Sequence, residues 1–277
     1  MHLAFQANSG LSVALIFLLF YLYHGIGITL GYHRLLSHKC VSMPKWLMYF
    51  IVMGGYLSFM GSPIVWVAMH RSHHQNTDLA KDPHSPLHGL FHSFIGWMFE
   101  LSKYLSNDEI KQQTKDLFTD PVWRFLGTKN CYKQGLLCLG FCTLYRCLLF
   151  CIGGVNLVII NIIACCAVFI STQLVNVICH KPQAWFSYRN YPTNDNSLNV
   201  WWVGILALGE GFHNNHHHNP KSARHGLRWF EFDFTWLVIM GLKKLRLVWN
   251  IYNTKNLNDT YTTHSLDRLE NLETTKL

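Results

Sequence analysis

Long uncharged stretches alternate with shorter polar segments along this chain. Residues 11–31 carry no formal charge, and residues 135–179 carry only Arg146. At about 1.5 Å per helical residue, the first stretch is long enough to cross a bilayer core of about 30 Å once, and the second is long enough to cross it twice. The pattern therefore predicts one membrane span at 11–31 and two spans in the second stretch.

Turn-forming residues lie near the middle of the second stretch. Gly153, Gly154 and Asn156 interrupt an otherwise apolar sequence. We expect a tight helical hairpin with spans at 135–154 and 156–179. A signal peptide is the alternative for the first stretch, but no basic segment precedes that stretch and no small-residue cleavage site follows it.

Three further segments are too interrupted or too amphipathic to predict as spans. Residues 46–69 are uncharged but contain glycines and a proline, 88–105 is amphipathic, and 228–242 mixes aromatic rings with carboxylates. We expect all three to lie at the headgroup level of a membrane, with 46–69 at the interface or dipping into the bilayer and returning. Residues 253–277 are polar and predict a loose C-terminal tail.

The predicted fold is an all-α integral membrane protein with a single domain at residues 1–252. Lys and Arg flank the apolar stretches and are missing from the short hairpin turn, so the positive-inside rule places the flanking regions in the cytoplasm. The interfacial helices would then form a cytoplasmic cap. A single span before this cap would leave the N-terminus outside the cytoplasm.

Composition supports a membrane protein. Half of the residues are hydrophobic and 14% are charged, against roughly 25% in soluble domains. The net charge is +8 without a run of Lys and Arg, which favours a membrane surface over nucleic acid as the partner. The cysteines lie mostly in apolar sequence without a C-x-x-C pair, which indicates buried thiols in a reducing compartment.

Histidine is unusually frequent, because 17 histidines outnumber 15 acidic residues. Three groups lie beside the predicted membrane segments, one with H-x4-H spacing and two with H-x-x-H-H spacing. Steps of three and four place imidazoles on one helix face, whereas a step of five suits a pair that straddles a helix end. The members are His33 and His38, then His70, His73 and His74, and then His213, His216 and His217.

This pattern indicates a metal site. Gathered imidazoles would repel one another as cations, and they would be costly to bury as neutral groups without partners. Eight or nine nitrogens exceed the four ligands of a structural zinc and suit two ions. Imidazole binds iron, zinc and copper alike, and redox chemistry on a membrane-soluble substrate favours iron, with zinc as the alternative.

The predicted topology agrees with a shared metal site. His38 and His70 flank 46–69, whose 24 residues are too few for two crossings, and a single crossing would separate them by about 30 Å. Between His74 and His213 the predicted hairpin crosses twice, which returns the chain to the same side of the membrane.

The three groups resemble those of the membrane fatty-acid desaturases. The segments GITLGYHRLLSH, WVAMHRSHH and GEGFHNNHH carry the resemblance, and SARHGLRWFEFDFTW extends it, from about residue 21 to about 245. The chain looks most like the acyl-lipid and acyl-CoA Δ9 desaturases, especially those of the cyanobacterial type. The family's Asn-x-x-x-His pattern matches Asn176 and His180, which implies His180 as a ninth ligand and Asn176 as the holder of a metal-bound water.

The resemblance also implies a reaction. A non-haem centre of two irons would use O2 and two external electrons to form a cis double bond in a saturated acyl chain. No catalytic residue is implied beyond the metal ligands, because the metal carries the chemistry. The implied substrate is a membrane lipid or an acyl-CoA. The implied electron donor is ferredoxin, as in the prokaryotic members, or alternatively cytochrome b5.

Other residues beside the histidine groups are less clearly assigned. Asp78, Asp82 and Glu210 are candidates to orient ligand imidazoles, or else they are solvated acids. His84 and His218 neighbour the groups but fall outside the family pattern.

Two other functions remain open at this point. A membrane di-iron hydroxylase of fatty acids or carotenoids is the nearest alternative, although the lead-in at 209–212 favours desaturation. A metal-binding or transport protein would place histidines and carboxylates inside its spans, and here only His24 and Arg146 lie within apolar blocks. Relatives typically carry two membrane helices before the first group. This chain has one, so either its start is truncated or that helix is dispensable.

Overall fold

The computed structural model describes residues 10–127 and 131–253, so the predicted tail lies outside the described residues except for Asn253. The described part is mostly helical, as predicted. A π-helix at Gly27–Ser37 continues α1, 3-10 turns lie at Pro86–His88, Gly96–Phe99 and Leu117–Thr119, and the strands β1 (Ser187–Tyr188) and β2 (Asn199–Val200) pair antiparallel. The α-helices are α1 (Gly10–Ile26), α2 (Lys45–Tyr56), α3 (Pro63–Asn76), α4 (Leu90–Phe94), α5 (Leu101–Tyr104), α6 (Asn107–Gln113), α7 (Pro121–Leu126), α8 (Cys131–Ile178), α9 (Trp201–Leu206), α10 (His213–His218) and α11 (Phe234–Lys244).

Two helices of the described chain are long and apolar enough to cross a membrane. They are Gly10–Ser37, which joins α1 to the π-helix, and Lys133–Ile178 within α8. Large apolar side chains are exposed on both, among them Leu19 at 68% and Ile152 at 60%. Exposed apolar surface of this kind suits contact with lipid.

α8 consists of two consecutive helices joined at Gly154. This glycine has φ 68° and ψ −165°, a conformation that side chains with a Cβ rarely adopt, so the helix breaks there. The two halves lie side by side, because Arg146 Nη2 of the first half is 3.3 Å from Cys165 Sγ of the second. The break lies within the turn that the sequence predicts.

The junction of α1 and the π-helix packs closely on α2, at a point where glycines from both sides meet. A Cβ atom at Gly27 would lie 2.1 Å from the backbone nitrogen of Gly55, so only glycine fits at this position. Just below the crossing, His24 Nδ1 donates to the carbonyl of Gly54 at 2.7 Å, and Asn161 Nδ2 donates to His24 Nε2 at 2.9 Å. The crossing fixes α2 against the helix that leads into the first histidine group.

The predicted interfacial segment 46–69 folds as α2 and α3, joined by a short turn. Groups on α8 satisfy the carbonyls at the end of α2. Cys142 Sγ lies 3.4 Å from Tyr56 O, and Arg146 Nη1 donates to Leu57 O at 3.2 Å. A helix end surrounded by apolar residues requires such partners, and this requirement explains the single charge inside the predicted hairpin.

The other two predicted interfacial segments are less regular. Residues 88–105 form the end of one 3-10 turn and then α4, a second 3-10 turn and α5. In 228–242, the helix is α11, which begins at Phe234 after the Asp233 side chain accepts a bond from the Trp236 N–H at 2.9 Å. The main hydrophobic core lies among the π-helix, α2, α3 and the first half of α8.

Candidate metal centre

Nine histidines converge in two adjacent clusters. Within each cluster, one nitrogen per imidazole lies within 4.8 Å of the others. The clusters touch, because the ring centroids of His74 and His217 are 4.5 Å apart. The five-histidine cluster contains His33, His38, His70, His74 and His216, and the four-histidine cluster contains His73, His180, His213 and His217.

The π-helix positions the first two histidines. His38 follows the end of this helix, and its N–H donates to His33 O at 3.1 Å, which is an i to i+5 bond. Because the π-helical turn spans five residues, the two rings come within 4.9 Å of each other. The step of five therefore straddles a helix end, as its spacing predicts.

α3 and α10 each divide their histidines between the clusters. In α3, His70 and His74 join the five-histidine cluster, and His73 joins the four-histidine cluster. In α10, only His216 joins the five-histidine cluster, and the other two ligand candidates join the four-histidine cluster. The spacing predicts that the histidines of each helix share one face. In the structure, the boundary between the two clusters runs along that face.

The Asn-x-x-x-His pair lies at the end of α8. The ring of His180 is 4.8 Å from that of His213 and 4.9 Å from that of His73, so it completes the four-histidine cluster. Asn176 lies one turn earlier. Its amide nitrogen donates to Gln173 Oε1 at 3.1 Å, and its side chain lines a cavity beside the clusters.

Carboxylates contact the Nδ1 atoms of four cluster histidines. A carboxylate that accepts from Nδ1–H fixes the tautomer that leaves the Nε2 lone pair free for a metal. Three of these acids are the candidates from sequence, and Asp195 is new. Glu210 lies 2.6 Å from His33, Asp82 2.9 Å from His73, Asp195 2.8 Å from His217 and Asp78 3.5 Å from His180.

The Nε2 atoms point toward one another. His33 Nε2 is 3.1 Å from His216 Nε2, and His213 Nε2 is 3.0 Å from His217 Nε2. His73 Nε2 is buried without a hydrogen-bond partner in the described chain. Converging lone pairs repel unless a cation lies between them, so the donor set fits a pair of metal ions bound by imidazole.

Burial keeps seven of these imidazoles neutral. Desolvation, together with the nearby His33 and His180, lowers the pKa of His74 to about 3. A neutral imidazole at pH 7 is the form that binds metal. Desolvation and neighbouring imidazoles also hold six other pKa values well below 6.5, those of His38, His70, His73, His213, His216 and His217.

A buried ion network supports the His33 side of the centre. The guanidinium of Arg34 is fully buried and lies 3.0 Å from Glu210 and 2.9 Å from Asp233. Burial would raise the pKa of Glu210, but His33, Arg34 and His225 hold it well below its usual range. Glu210 is therefore ionised, with its Oε2 2.6 Å from His33 Nδ1.

Arg71 joins the first two histidine groups. Its guanidinium donates to Ser37 O at 3.0 Å and to Leu36 O at 2.8 Å, at the end of the π-helix. It also pairs with Asp116 at 2.8 Å. Because Arg71 follows His70 directly in α3, these bonds fix the orientation of α3 relative to the π-helix.

Sequence reasoning missed three supporting residues. Asp195 lies in the loop between the two strands, and Asp233 and His225 follow α10; all three contact the centre only through tertiary packing. The arginines were visible in the sequence, because both HRLLSH and HRSHH place an arginine directly after a ligand candidate.

The two histidines left outside the family pattern have other contacts. His84 lies within 3.8 Å of Asp82, and its ring is 4.4 Å from that of His73, so it packs beside the four-histidine cluster. The ring of His218 stacks on Tyr191 at 3.8 Å.

A small apolar cavity of about 50 Å³ opens beside the clusters. His33, His70 and His213 line one end, and Tyr21 lines it farther along α1. The indole of Trp66 forms part of the wall and stacks on the His70 ring at 5.2 Å. The cavity therefore adjoins the converging nitrogens.

Comparison with known families gives one clear match. A family model described as "Fatty acid desaturase" matches residues 9–248. This range contains both histidine clusters and the cavity.

Similar proteins come from cyanobacteria and plants. An sn-1 stearoyl-lipid 9-desaturase of Anabaena variabilis is 41% identical over 241 residues, which are 87% of this chain and 84% of that protein. The protein of the same name from Synechocystis is 41% identical over 89% of this chain and 73% of its own length. A chloroplastic palmitoyl-monogalactosyldiacylglycerol delta-7 desaturase of Arabidopsis thaliana is 39% identical over 82% of this chain and 58% of its own length.

Proposed function

The chain belongs to the fatty acid desaturase family, and we propose that it forms a cis double bond at Δ9 in a saturated acyl chain of a membrane lipid. The observation that carries this proposal is the convergence of nine imidazoles at one end of an apolar cavity. The similar stearoyl-lipid 9-desaturases support the position of the bond and the lipid substrate, with acyl-CoA as the other candidate carrier.

The proposed metal ligands are the nine cluster histidines, and the proposed metal is iron, two ions per chain. The imidazole donor set accepts iron or zinc, and an O2-dependent reaction needs a redox-active metal. Asn176 is proposed to hold a water on the metal from the cavity wall. When bound, a di-iron centre supplies the oxidation: O2, two electrons and two protons become two waters as the substrate loses two hydrogens.

The protein residues orient the substrate and exclude water. The acyl chain lies in the cavity, with the carbons that react beside His33, His70 and His213. Trp66 lines the cavity and stacks on the His70 ring, so it guides the approach of the chain to the centre. The apolar wall keeps solvent from the reacting carbons.

The proposed electron donor is a separate protein. We propose an acidic ferredoxin over cytochrome b5, since the similar stearoyl-lipid desaturases are cyanobacterial. Lys221 and Arg228 are exposed, and Arg224 is half-buried, on the segments that follow α10. A basic surface attracts an acidic donor.

We propose a multi-pass topology with both clusters on the cytoplasmic side. Gly10–Ser37 would cross once and the two halves of α8 would cross twice, joined at Gly154 outside the cytoplasm. The interfacial segments would form the cap, and the N-terminus would lie outside. The other two proposed activities, hydroxylation and metal transport, gain no support from the similar proteins, which are desaturases.

Fatty-acid profiling of a host that expresses this chain tests the function. Mass spectrometry should locate a new double bond at Δ9 in lipid acyl chains. The His73→Ala variant should give no product while still entering the membrane fraction, because it removes a proposed ligand. His88→Ala is the matched control, since His88 is exposed outside both clusters. A host profile unchanged by the wild-type chain, or a normal product from His73→Ala, would contradict the proposal.

A further inference from the structure

The two clusters have different electrostatic support. Three carboxylates contact the four-histidine cluster, namely Asp78, Asp82 and Asp195. In the part of the chain that the structure describes, no Lys or Arg nitrogen lies within 4 Å of these three carboxylates. Their negative charge is therefore directed at the imidazoles.

The five-histidine cluster lacks this support. Its carboxylate contact is Glu210, which touches His33. The same carboxylate pairs with Arg34, a buried cation that Asp233 also contacts. Arg34 offsets one of the two negative charges. One net negative charge supports five imidazoles here, against three for four imidazoles in the other cluster.

We propose that the four-histidine cluster is the tighter of the two metal sites and that Asp195 is the positioning residue that sets this difference. This inference rests on the proposed function only in that the clusters bind metal. A carboxylate bonded to the far nitrogen of a ligand imidazole fixes the tautomer and raises the basicity of the ligand. Two such bonds, from Asp82 and Asp195, together with the negative charge of Asp78 3.5 Å from His180, outweigh a fifth neutral ligand.

The hydrogen bonds of Asp195 fix which of its two oxygens accepts from His217. Its Oδ1 accepts from the Ser197 N–H at 3.0 Å and from the Thr193 hydroxyl at 2.7 Å, while Oδ2 accepts from His217 Nδ1 at 2.8 Å. In Asp195→Asn, the single oxygen stays with the Ser197 and Thr193 donors, and the amide nitrogen faces His217. His217 must then accept at Nδ1 and carry its proton on Nε2, where it blocks the metal.

The test uses the iron-loaded, full-length protein under anaerobic conditions. A graded series of chelator concentrations removes iron, and the iron content per chain is measured by plasma emission. Wild-type protein should lose its two irons in two separate steps. The first step empties the five-histidine cluster, and the second step empties the tighter four-histidine cluster. In Asp195→Asn, the second step should move to weaker binding by about 10- to 100-fold, while the first step stays in place. His38→Ala should remove the first step only.

Matched variants separate positioning from general damage. Asp108→Asn changes an exposed carboxylate on α6 and should leave both steps unchanged. Asp78→Asn is the second test variant, because asparagine tolerates the φ of 59° at this position, and it should also shift only the second step. The metal-free melting temperature of Asp108→Asn should equal that of the wild type, and circular dichroism should show that the Asp195 and Asp78 variants remain folded without metal.

The outcomes distinguish this inference from the proposed function. Loss of both irons in one step, or a shift of the first step in Asp195→Asn, would overturn the inference even if the wild-type chain makes Δ9 product. Two-step loss with the expected shift, in a chain that makes no double bond, would support the inference and overturn the desaturase activity.

Discussion

Arg34 and Glu210 form a buried ion pair, with Nη2 3.0 Å from Oε1. The arginine directly follows His33 in the sequence, and the glutamate contacts His33 Nδ1 at 2.6 Å. The pair therefore links Arg34, the neighbour of His33 in the chain, to the carboxylate that contacts the His33 imidazole. Arg34 acts with His33 and His225 to keep Glu210 ionised in this buried position, where an unpaired charge would be too costly.

Arg34→Met should lower the free energy of unfolding by about 3–5 kcal/mol, because it leaves Glu210 and Asp233 as buried charges without their cation. Thermal unfolding in detergent measures the loss. Arg124→Lys is the control, since Arg124 is exposed on α7, and it should change stability by less than about 0.5 kcal/mol. Equal melting temperatures for the Arg34 variant and the wild type would show that the pair contributes nothing to the fold.

The ligand candidates were predictable because they depend on residue type and local spacing. Histidine has few reasons to recur at H-x-x-H-H spacing beside apolar segments, and helix geometry then brings the rings together. The division of each group between two clusters was not predictable. It depends on how α3 and α10 are rotated against each other. Tertiary packing sets this rotation, so the sequence of either helix alone does not predict it.

The supporting residues were hidden for a similar reason. Arg34 and Asp233 are 199 positions apart, and Asp195 reaches His217 from a loop 22 positions earlier. Acids in such positions look like solvated surface residues until the chain is folded. The same holds for the close approach of Gly27 to Gly55, which two apolar segments with glycines do not reveal.

Gly27→Ala should destabilise the protein by at least about 1–3 kcal/mol, because the added Cβ would lie 2.1 Å from Gly55 N and force the two backbones apart. Unfolding in detergent measures the effect. Gly140→Ala is the matched control in α8, where the added Cβ meets nothing within 4 Å. If both variants unfold at the same temperature, the helices do not cross as the structure has them.

Asp116 contributes a pH-dependent part of the stability. Burial would raise the pKa of this carboxyl, but hydrogen bonds from Arg71 and Lys39 lower it to about 2. A carboxyl with a lowered pKa stabilises the fold above its unfolded value of about 4 and loses that contribution as the pH falls toward 2.

Asp116→Asn should therefore cost about 1–2 kcal/mol at pH 7, allowing for the partial exposure of the pair. The difference between variant and wild type should shrink as the pH is lowered from 4 to 2. Denaturant unfolding at several pH values tests this, with Asp108→Asn as an exposed control on α6. A difference that stays constant over this pH range would contradict the role given to Arg71 and Lys39.

Tyr21 closes the cavity at a distance from the metal centre. Its hydroxyl donates to Leu206 O, which joins α1 to α9 across the cavity. Tyr21 and Leu206 line both this cavity and a second apolar groove, which Phe17 and Ile170 line as well. The cavity and the groove therefore meet at the Tyr21 side chain.

Tyr21→Ala should shift the products toward longer acyl chains, because removing the ring joins the cavity to the groove and makes room for more methylenes beyond the reacting carbons. The bond position counted from the carboxyl end should stay the same, because we propose that the acyl chain binds with its methyl end toward Tyr21. Lipid mass spectrometry measures both quantities. Tyr23→Ala is the matched control, because Tyr23 packs on Phe50 with ring centroids 5.3 Å apart. It should leave the chain-length profile unchanged. The same shift in both variants, or none in Tyr21→Ala, would mean that this ring does not limit the chain.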